Sequence, residues 1–241
     1  MTILIVGASG ATGKHLVGQL LISNQKVKAI VRSAESLPKT WRNNGNLTII
    51  ERTVLDISLD EMGEYLKGCN AVASCLGHNL TFKGIYGKPR RLVTDSVKLL
   101  CKAIEKNASE KPVKVVLMNT AGNRNKELNE SISFGQKLIL ALIRLLLPPH
   151  VDNEKAAAFL QKNIGQNYKY ISWAVVRPDG LIDEDKVSEY AIHPSPTRSA
   201  IFNAGEVSRI NVGHFMSELI IKSKLWAKWK GQMPVIYNSN E

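Results

Sequence analysis

Three glycines near the start of the chain limit its fold more than any other feature. Gly7, Gly10 and Gly13 lie in the stretch TILIVGASGATGKHLVGQLL, after a short β-branched run and before a segment with helical apolar spacing. A strand that passes through a glycine turn into a helix is typical of the first unit of nucleotide-binding α/β folds. The G-x-x-G-x-x-G spacing is one residue longer at the front than the common G-x-G-x-x-G pattern, so the context of the turn supports the prediction more than its spacing does.

Short apolar runs alternate with helical patterns along the rest of the chain. Strands that are apolar throughout, instead of at every second residue, indicate a parallel sheet that is covered on both faces. We therefore predict one domain over residues 1–241, a Rossmann-like, doubly wound α/β sheet with helices on both faces and a small C-terminal, substrate-side addition from Asp183 onward. The predicted strands after TILIV are Val27–Val31, LTIIE, NAVASCLG, Val113–Met118 and Tyr170–Val176. The predicted helices are Thr12–Ile22, a short helix with Ser58 as its N-cap that ends at Gly68, Leu92–Ile104, Gln136–Leu147 and Asn153–Asn163.

Charge and cysteine content narrow the classes of function. The formal net charge of +11 would suit a nucleic-acid or phosphate partner, but the basic residues are dispersed and form a dense cluster only at Lys88–Arg91. We therefore predict a solvated basic surface and no specific nucleic-acid partner. Cys69, Cys75 and Cys101 are too few and too scattered for a disulfide framework or a metal cluster, which indicates reduced thiols in a cytoplasmic protein. The N-terminal apolar run has no basic leader, so we predict no secretion signal.

One apolar run resembles a membrane segment. LILALIRLLLPPH, from Leu138 to His150, is about half as long as the ~20 residues that span a bilayer, and Arg144 interrupts it. We predict a buried or partner-facing helix and no membrane partner. The sequence is compatible with a homodimer.

The glycine turn is predicted to hold the diphosphate of a dinucleotide. Gly7 permits a sharp turn, the missing Cβ of Gly10 lets the backbone approach the diphosphate, and Gly13 lets the helix pack near the strand. The unpaired N–H groups of the first helical turn then meet the anion. The predicted diphosphate site comprises Gly7, Ser9, Gly10, Ala11, Thr12 and Gly13.

The end of the second strand selects between NAD and NADP in folds of this class. An acid there would bind the adenosine ribose, whereas a base would pair with a 2′-phosphate. The sequence has Arg32 and Ser33 there, with no acid until Glu35. Arg32 is therefore a candidate clamp for NADP, with NAD as the other cofactor and a plain surface arginine as the other interpretation. Asp56, just past the third strand, could bind the adenine amino group or cap the following turn.

Several motifs together resemble the short-chain dehydrogenase/reductase superfamily. They are GASGATG at 7–13, VRS at 31–33, LD at 55–56, CLG at 75–77, NTAG at 119–122, VRPDGL at 176–181 and SRINVGHFM at 208–216. The resemblance is to the atypical branch, with NmrA-like proteins and the biliverdin-IXβ/flavin reductase type, and it spans nearly the whole chain. It implies that Leu76 and Gly77 pass under the cofactor ribose and that Thr120 supplies a hydroxyl near the nicotinamide. It also implies that Pro178 and Gly180 pack beside the nicotinamide amide.

One departure from the superfamily concerns its proton donor. Main-branch members use Tyr-x-x-x-Lys, in which the lysine lowers the tyrosine pKa. Four residues before Lys155 stands Val151, so the tyrosine is missing and Lys155 is a candidate for the ribose hydroxyls or a surface lysine. We take Thr120, Lys155 and His193 as the catalytic candidates. The sequence also offers His150, Tyr190 and His78 as proton donors, whereas His214 fits helix packing better.

The function implied by these motifs is an NAD(P)-dependent oxidoreductase. It would transfer a hydride between NADP(H) and a small organic acceptor such as a quinone, a flavin or a carbonyl compound. The alternative is a non-catalytic NADP-binding sensor of the NmrA-like type, with the apolar helix as its docking surface. No carboxylate or histidine pair indicates a metal site, and Glu127 and Glu130 fit a loop or a helix start. Ser9, Ser74 and Ser133 lack the G-x-S-x-G context of a hydrolase nucleophile.

Overall fold

A computed structural model of the chain describes residues 1–79, 81–125, 127–128, 130 and 133–239. Its strands are β1 (Thr2–Val6), β2 (Lys26–Val31), β3 (Leu47–Glu51), β4 (Ala71–Ser74), β5 (Val113–Met118), β6 (Ile171–Pro178), β7 (Gly180–Ile182), β8 (Tyr190–His193), β9 (Glu206–Ser208) and β10 (Val235–Asn238). Its helices are α1 (Ala11–Ile22), α2 (Leu59–Leu66), α3 (Phe82–Tyr86), α4 (Leu92–Asn107), α5 (Phe134–Leu146), α6 (Pro148–Phe159), α7 (Arg209–Ile221) and α8 (Ser223–Trp229).

The strands form an eight-stranded sheet in the order β3-β2-β1-β4-β5-β6-β10-β8. All neighbouring strands are parallel except β8, which runs antiparallel to β10 at the edge. The chain builds outward from β1 in one direction and then restarts beside β1 with β4, so a crevice opens at the carboxyl ends of these two strands. The Rossmann-like, doubly wound fold predicted from the sequence is confirmed.

Helices bury both faces of the sheet, which explains why its strands are apolar throughout. In β1, Leu4 and Val6 belong to the buried cluster on one face, whereas Ile3 and Ile5 belong to the cluster on the other. The first cluster includes apolar residues of α2, α4 and α6, and the second includes those of α1, α7 and α8. Side chains alternate along a strand, so each residue of a central strand has a core to enter.

The C-terminal part contributes more to the fold than the predicted small addition. It supplies β10 and the edge strand β8, and α7 packs along α1 over one face of the sheet. At Gly213 of α7 an added Cβ would lie 2.8 Å from the backbone nitrogen of Leu16, so the two helices are in close contact. Only the segments around the two-stranded β7-β9 ribbon and residues 194–205 resemble an addition at the carboxyl edge.

Pro148 and Pro149 do more than follow the helix predicted over Gln136–Leu147. They occupy the first turn of α6, where proline needs no amide hydrogen, so they start a helix as well as ending α5. The helix predicted at Asn153 therefore begins five residues earlier, at Pro148. No single helix in the described part of the chain is long and apolar enough to cross a membrane. Two consecutive helical segments, Phe134–Leu146 and Pro148–Ile164, are together long and apolar enough to span a membrane, but the chain bends by 104° between them.

Candidate active site

The glycine turn after β1 is fixed by close backbone contacts. Gly7 has φ +76°, a conformation that side chains with a Cβ avoid, and an added Cβ there would lie 2.6 Å from the carbonyl carbon of Cys75. At Gly13, an added Cβ would lie 2.1 Å from the Gly7 carbonyl oxygen. The turn therefore packs against the segment after β4, and α1 packs against the turn, in keeping with the roles expected of these two glycines.

Gly10 is the N-cap of α1 and differs from the other two glycines. Its backbone has φ −69° and ψ 164°, which any residue can adopt. No side chain caps α1, and its first turn contains no acidic residue. The first N–H groups of a helix have no intrahelical acceptor, and Gly10 and Ala11 are exposed, so this end of α1 presents free donors and the positive end of a helix dipole. A diphosphate fits this end in charge and hydrogen bonding.

Arg32 lies at the position expected of a 2′-phosphate clamp. It is exposed and directly follows β2, which pairs with β1 in the register Ile30 to Val6. Arg32 and the glycine turn therefore leave neighbouring strands at the same edge of the sheet.

Asp56 is exposed in a short 3₁₀ turn, where its amide donates to the Thr53 carbonyl over 3.0 Å. The Asp56 side chain does not cap the next helix, because the Ser58 hydroxyl accepts from the Glu61 amide over 3.2 Å and caps α2. The Ser58 cap predicted from the sequence is thus confirmed.

The segment after β4 leaves room for a ligand. Gly77 is exposed, and an added Cβ there would meet no atom within 4 Å among the described residues. Leu76 is half-buried and packs against the core. This open backbone lies beside the glycine turn, since Gly7 contacts the Cys75 and Leu76 main chain.

The ends of β5 and β6 are joined by hydrogen bonds. The Thr120 amide donates to Asn119 Oδ1 over 2.9 Å, and the Thr120 hydroxyl accepts from the Gly122 amide over 3.3 Å. The Ala121 amide donates to the Pro178 carbonyl over 2.8 Å. Beyond Pro178, Gly180 begins the β7-β9 ribbon and its amide donates to the Gly205 carbonyl over 2.8 Å. Thr120 therefore lies in a hydrogen-bonded part of the carboxyl edge.

His150 is the proton-donor candidate that the structure brings to this edge. Its Cε1 lies 3.5 Å from the position of a Cβ on Gly122, and its Nε2 lies 3.4 Å from Glu154 Oε1. Glu154 also accepts from Arg144 of α5 through both carboxylate oxygens. Burial would raise the pKa of Glu154, but the contacts with His150 and Arg144 outweigh it and lower this pKa to about 2. Along α6, His150 directly precedes Val151 and Glu154 directly precedes Lys155, the two positions that correspond to the tyrosine and the lysine of Tyr-x-x-x-Lys.

The lowered pKa of Glu154 predicts how stability depends on pH. The carboxylate is stabilised by folding, so its contribution is complete above its ordinary pKa of 4.5 and is lost as pH falls toward about 2. We expect Glu154→Gln to lower the thermal midpoint at pH 7 and the difference from the parent to shrink below pH 4.5. Thermal unfolding from pH 3 to pH 7 measures this. Glu64→Gln, which removes an exposed carboxylate paired with Lys67, should give a small difference at every pH.

His78 joins two helices and the segment after β4. Its Nε2 lies 2.8 Å from Asp152 Oδ2, and both side chains are almost fully buried. The Asp152 carboxylate also accepts from the amides of Val93 and Thr94, so it caps α4. This network holds α6 against the start of α4 and gives His78 a structural role. Lys155, on the same helix, is exposed.

The remaining proton-donor candidates, Tyr190 and His193, lie on the edge strand β8. The Tyr190 hydroxyl is 2.7 Å from His214 Nδ1, and Tyr190 packs against Phe215 on the face covered by α7. Burial raises the pKa of Tyr190 to about 12, so its hydroxyl stays protonated at neutral pH. His193 pairs with Val235 and its ring lies 5.9 Å from that of Tyr237, a residue that packs with Ala121. His193 is thus nearer to the end of β5 than Tyr190 is.

A cavity of about 420 Å³ opens beside Thr120 at this edge. Ala121, Gly122 and Arg124, which follow β5, line one side, and Ser133 and Gln136 at the start of α5 line another. The segment from Ser195 to Ala200 closes the third side. The cavity therefore begins at the two residues that follow Thr120, the residue predicted to lie near the nicotinamide.

A buried ion pair supports the wall of this cavity. Arg177 is fully buried, and its Nη2 and Nη1 lie 2.7 Å and 3.0 Å from the two carboxylate oxygens of Glu130. Glu130 Oε2 also accepts from the Asn125 amide over 2.7 Å. From the sequence, Glu130 fits a loop or a helix start, and Arg177 has no role beyond its motif. A lone arginine within a fully apolar strand is the signal that could have indicated a buried acidic partner.

The other groups weighed in the sequence have ordinary structural roles. Glu127 is exposed, Ser74 is buried in β4, and Ser133 caps α5 by accepting from the Gln136 amide. Cys69 and Cys101 are buried free thiols, and burial raises the pKa of Cys75 to about 12. Within the described ranges, no group of three or more histidine, cysteine or acidic side chains could hold a metal ion.

The strand order and the glycine turn define a Rossmann-like α/β fold of the dinucleotide-binding type. The chain belongs to the NAD(P)H-binding family, whose sequence model matches residues 7–223.

Three comparisons place the chain among known proteins. An uncharacterized chloroplastic protein of Arabidopsis thaliana is 28% identical over 225 residues, which cover 92% of this chain and 72% of that protein. A short-chain dehydrogenase/reductase from Veillonella parvula, solved in complex with NADP, has a TM-score of 0.71 at 14% identity and covers 99% of this chain and 95% of its own. An anaerobilin reductase from Escherichia coli O157:H7 has a TM-score of 0.69 at 16% identity and covers 100% of this chain and 98% of its own. At these identities the two structures show a shared fold.

Proposed function

We propose that the protein is an NADP(H)-dependent reductase that passes a hydride to a small organic acceptor held beside Thr120. The observation that carries this proposal is the cavity of about 420 Å³ at the end of β5, on the same sheet edge as the glycine turn. Family membership supports a nicotinamide cofactor and reductase chemistry in general. The bound nicotinamide would supply the hydride, and the chain would bind and orient it.

The residues at the carboxyl edge of the sheet would have separate roles in cofactor binding and proton transfer. The amides at the start of α1 hold the diphosphate, and the backbone at Leu76 and Gly77 leaves space for the ribose. The Thr120 hydroxyl and the His150 ring both lie beside Gly122, which is part of the cavity wall. For a carbonyl acceptor, His150 is well placed to supply the proton, with His193 as the other candidate. A quinone or a flavin could take its proton from water, which fits the valine at position 151.

The direct test is NADPH consumption against a panel of quinones, flavins and aldehydes. We expect turnover with at least one of these classes and binding of NADP(H) by calorimetry. Binding without turnover on the whole panel would favour the other function, a sensor that reads the cofactor. One feature favours this alternative, namely the exposed apolar side chains of α5, which could contact another protein.

Arg32→Ala tests the preference for NADP(H). A charged hydrogen bond to phosphate contributes about 1.5–3 kcal/mol, so we expect a roughly 10- to 100-fold loss of NADP(H) affinity with NAD(H) affinity nearly unchanged. Calorimetric titration of both cofactors measures the two effects. Arg52→Ala is the matched control, because Arg52 directly follows β3 and is paired with Glu61. Equal losses for both cofactors, or no loss for either, would reject Arg32 as the 2′-phosphate clamp.

A further inference from the structure

An apolar band crosses the outer surface of α5. Phe134, Leu138, Leu142 and Leu145 follow helical spacing and all point to solvent, whereas Leu140 on the opposite side is buried. Thirteen residues at 1.5 Å each give the helix a length of about 20 Å. The helix therefore has two apolar sides, one that covers the cavity region and one that nothing in the described chain covers.

The band extends past both ends of α5. At its start, the Phe202 ring lies 3.5 Å from the position of a Cβ on Gly135, and Phe202 is itself exposed. At its end, the Tyr86 hydroxyl donates to the Leu146 carbonyl over 3.0 Å, and the Tyr86 ring is 5.0 Å from that of Phe82, which is 80% exposed. Aromatic side chains thus stand at both ends of a row of leucines.

The segments that carry the band are rich in basic residues. The three segments that carry it, residues 81–91, 134–147 and 194–205, contain seven lysines and arginines and no acidic residue. Arg91 and Arg144 have acidic partners outside these segments, Asp95 and Glu154. The dense basic cluster at Lys88–Arg91 directly follows α3, next to Phe82 and Tyr86. An apolar helix face edged by cations and aromatic rings is suited to the boundary between water and an anionic lipid surface.

We propose that the apolar band lies on the surface of an anionic lipid bilayer, with α5 parallel to the membrane plane. The leucine and phenylalanine side chains would enter the acyl boundary, and the lysines and arginines would contact acidic headgroups. A second copy of the chain fits this face less well, because a symmetric interface would place these basic segments against each other.

This proposal does not depend on hydride transfer. It departs from the expectation of no membrane partner, which was drawn from the length of the apolar run. Length decides whether a helix can span a bilayer, but exposure and charge decide whether it can lie on one.

Vesicle flotation tests the proposal with two variants of matched exposure. Leu145 on the band is 79% exposed and Ile22 at the end of α1 is 81% exposed, so a glutamate at either position should leave the fold intact. We expect the full chain to float with vesicles of equal parts phosphatidylglycerol and phosphatidylcholine and to remain in solution with phosphatidylcholine alone. Leu145→Glu should reduce partitioning to the vesicles roughly tenfold or more, because it replaces a leucine that enters the lipid with a carboxylate that the anionic headgroups repel. Ile22→Glu should bind the vesicles like the parent.

Other outcomes would overturn the proposal. No flotation of the parent with either vesicle would do so, as would equal flotation with neutral vesicles or unchanged binding of Leu145→Glu. A dimer in light scattering that Leu145→Glu converts to a monomer, without vesicle binding by the parent, would assign the band to contact between copies. Circular dichroism of both variants excludes unfolding as the cause of a loss.

Discussion

Gly10→Asp should abolish detectable NADP(H) binding while leaving the fold at least as stable as the parent. Gly10 is the N-cap of α1, its backbone angles suit any residue, and aspartate is among the best N-cap residues. An added Cβ would lie 3.2 Å from the Gly7 carbonyl oxygen, a contact that requires a shift of only a few tenths of an ångström. The carboxylate, however, would occupy the amides that the diphosphate needs and would repel the phosphate charge.

We expect the dissociation constant for NADP(H) to rise by roughly 100-fold or more, because the carboxylate repels the phosphates and also takes the amide donors that would bind them. Isothermal titration calorimetry measures the binding, and thermal unfolding without cofactor measures the stability. Gly10→Ala is the control that adds the same Cβ without the charge, and it should weaken binding much less. If Gly10→Asp bound NADP(H) as tightly as the parent, the glycine turn would not be the diphosphate site and the proposed function would lose its basis.

The sheet could be predicted from the sequence because its signals are local. A β-branched run such as Thr2–Val6 or Val113–Met118 needs both faces covered wherever it lies, so each run indicated a central parallel strand. The glycine turn is equally local, because the positive φ of Gly7 and the close approach at Gly13 involve residues within one supersecondary unit or its neighbour. These features predict the fold and the edge of the sheet at which the cofactor is expected.

The surroundings of the cavity could not be predicted because they depend on distant residues. His150 meets Gly122 only because Pro148 starts α6, and proline more often signals the end of a helix. The sequence offers His78 as a proton donor, yet its ring is held in a buried contact by Asp152, which lies 74 residues away along the chain. The charges and apolar side chains of α3, α5 and the segment 194–205 form one surface only after folding.

The ion pair between Arg177 and Glu130 also joins residues that are distant along the chain. Breaking it should have the largest effect on stability of the changes considered. Glu130→Ala would leave the Arg177 guanidinium fully buried without its counter-ion, and breaking a buried pair in this way costs about 3–5 kcal/mol. That is a large fraction of the roughly 5–15 kcal/mol that holds a domain folded. We expect a clear drop in the urea midpoint. NADP(H) affinity at low temperature should stay near that of the parent, since the pair supports the cavity wall and not the glycine turn.

A double-mutant cycle separates the pair from general damage to the core. Arg177→Met leaves Glu130 buried and uncompensated, so it should also be strongly destabilising, whereas the double variant should lose much less than the sum of the two. Arg52→Ala breaks the exposed pair with Glu61 and should cost at most about 1 kcal/mol. Additive losses would mean that the two charges act independently. In that case Arg177 would support the wall of the cavity through its contacts with the Asn123 and Met233 carbonyls and not through its pairing with Glu130.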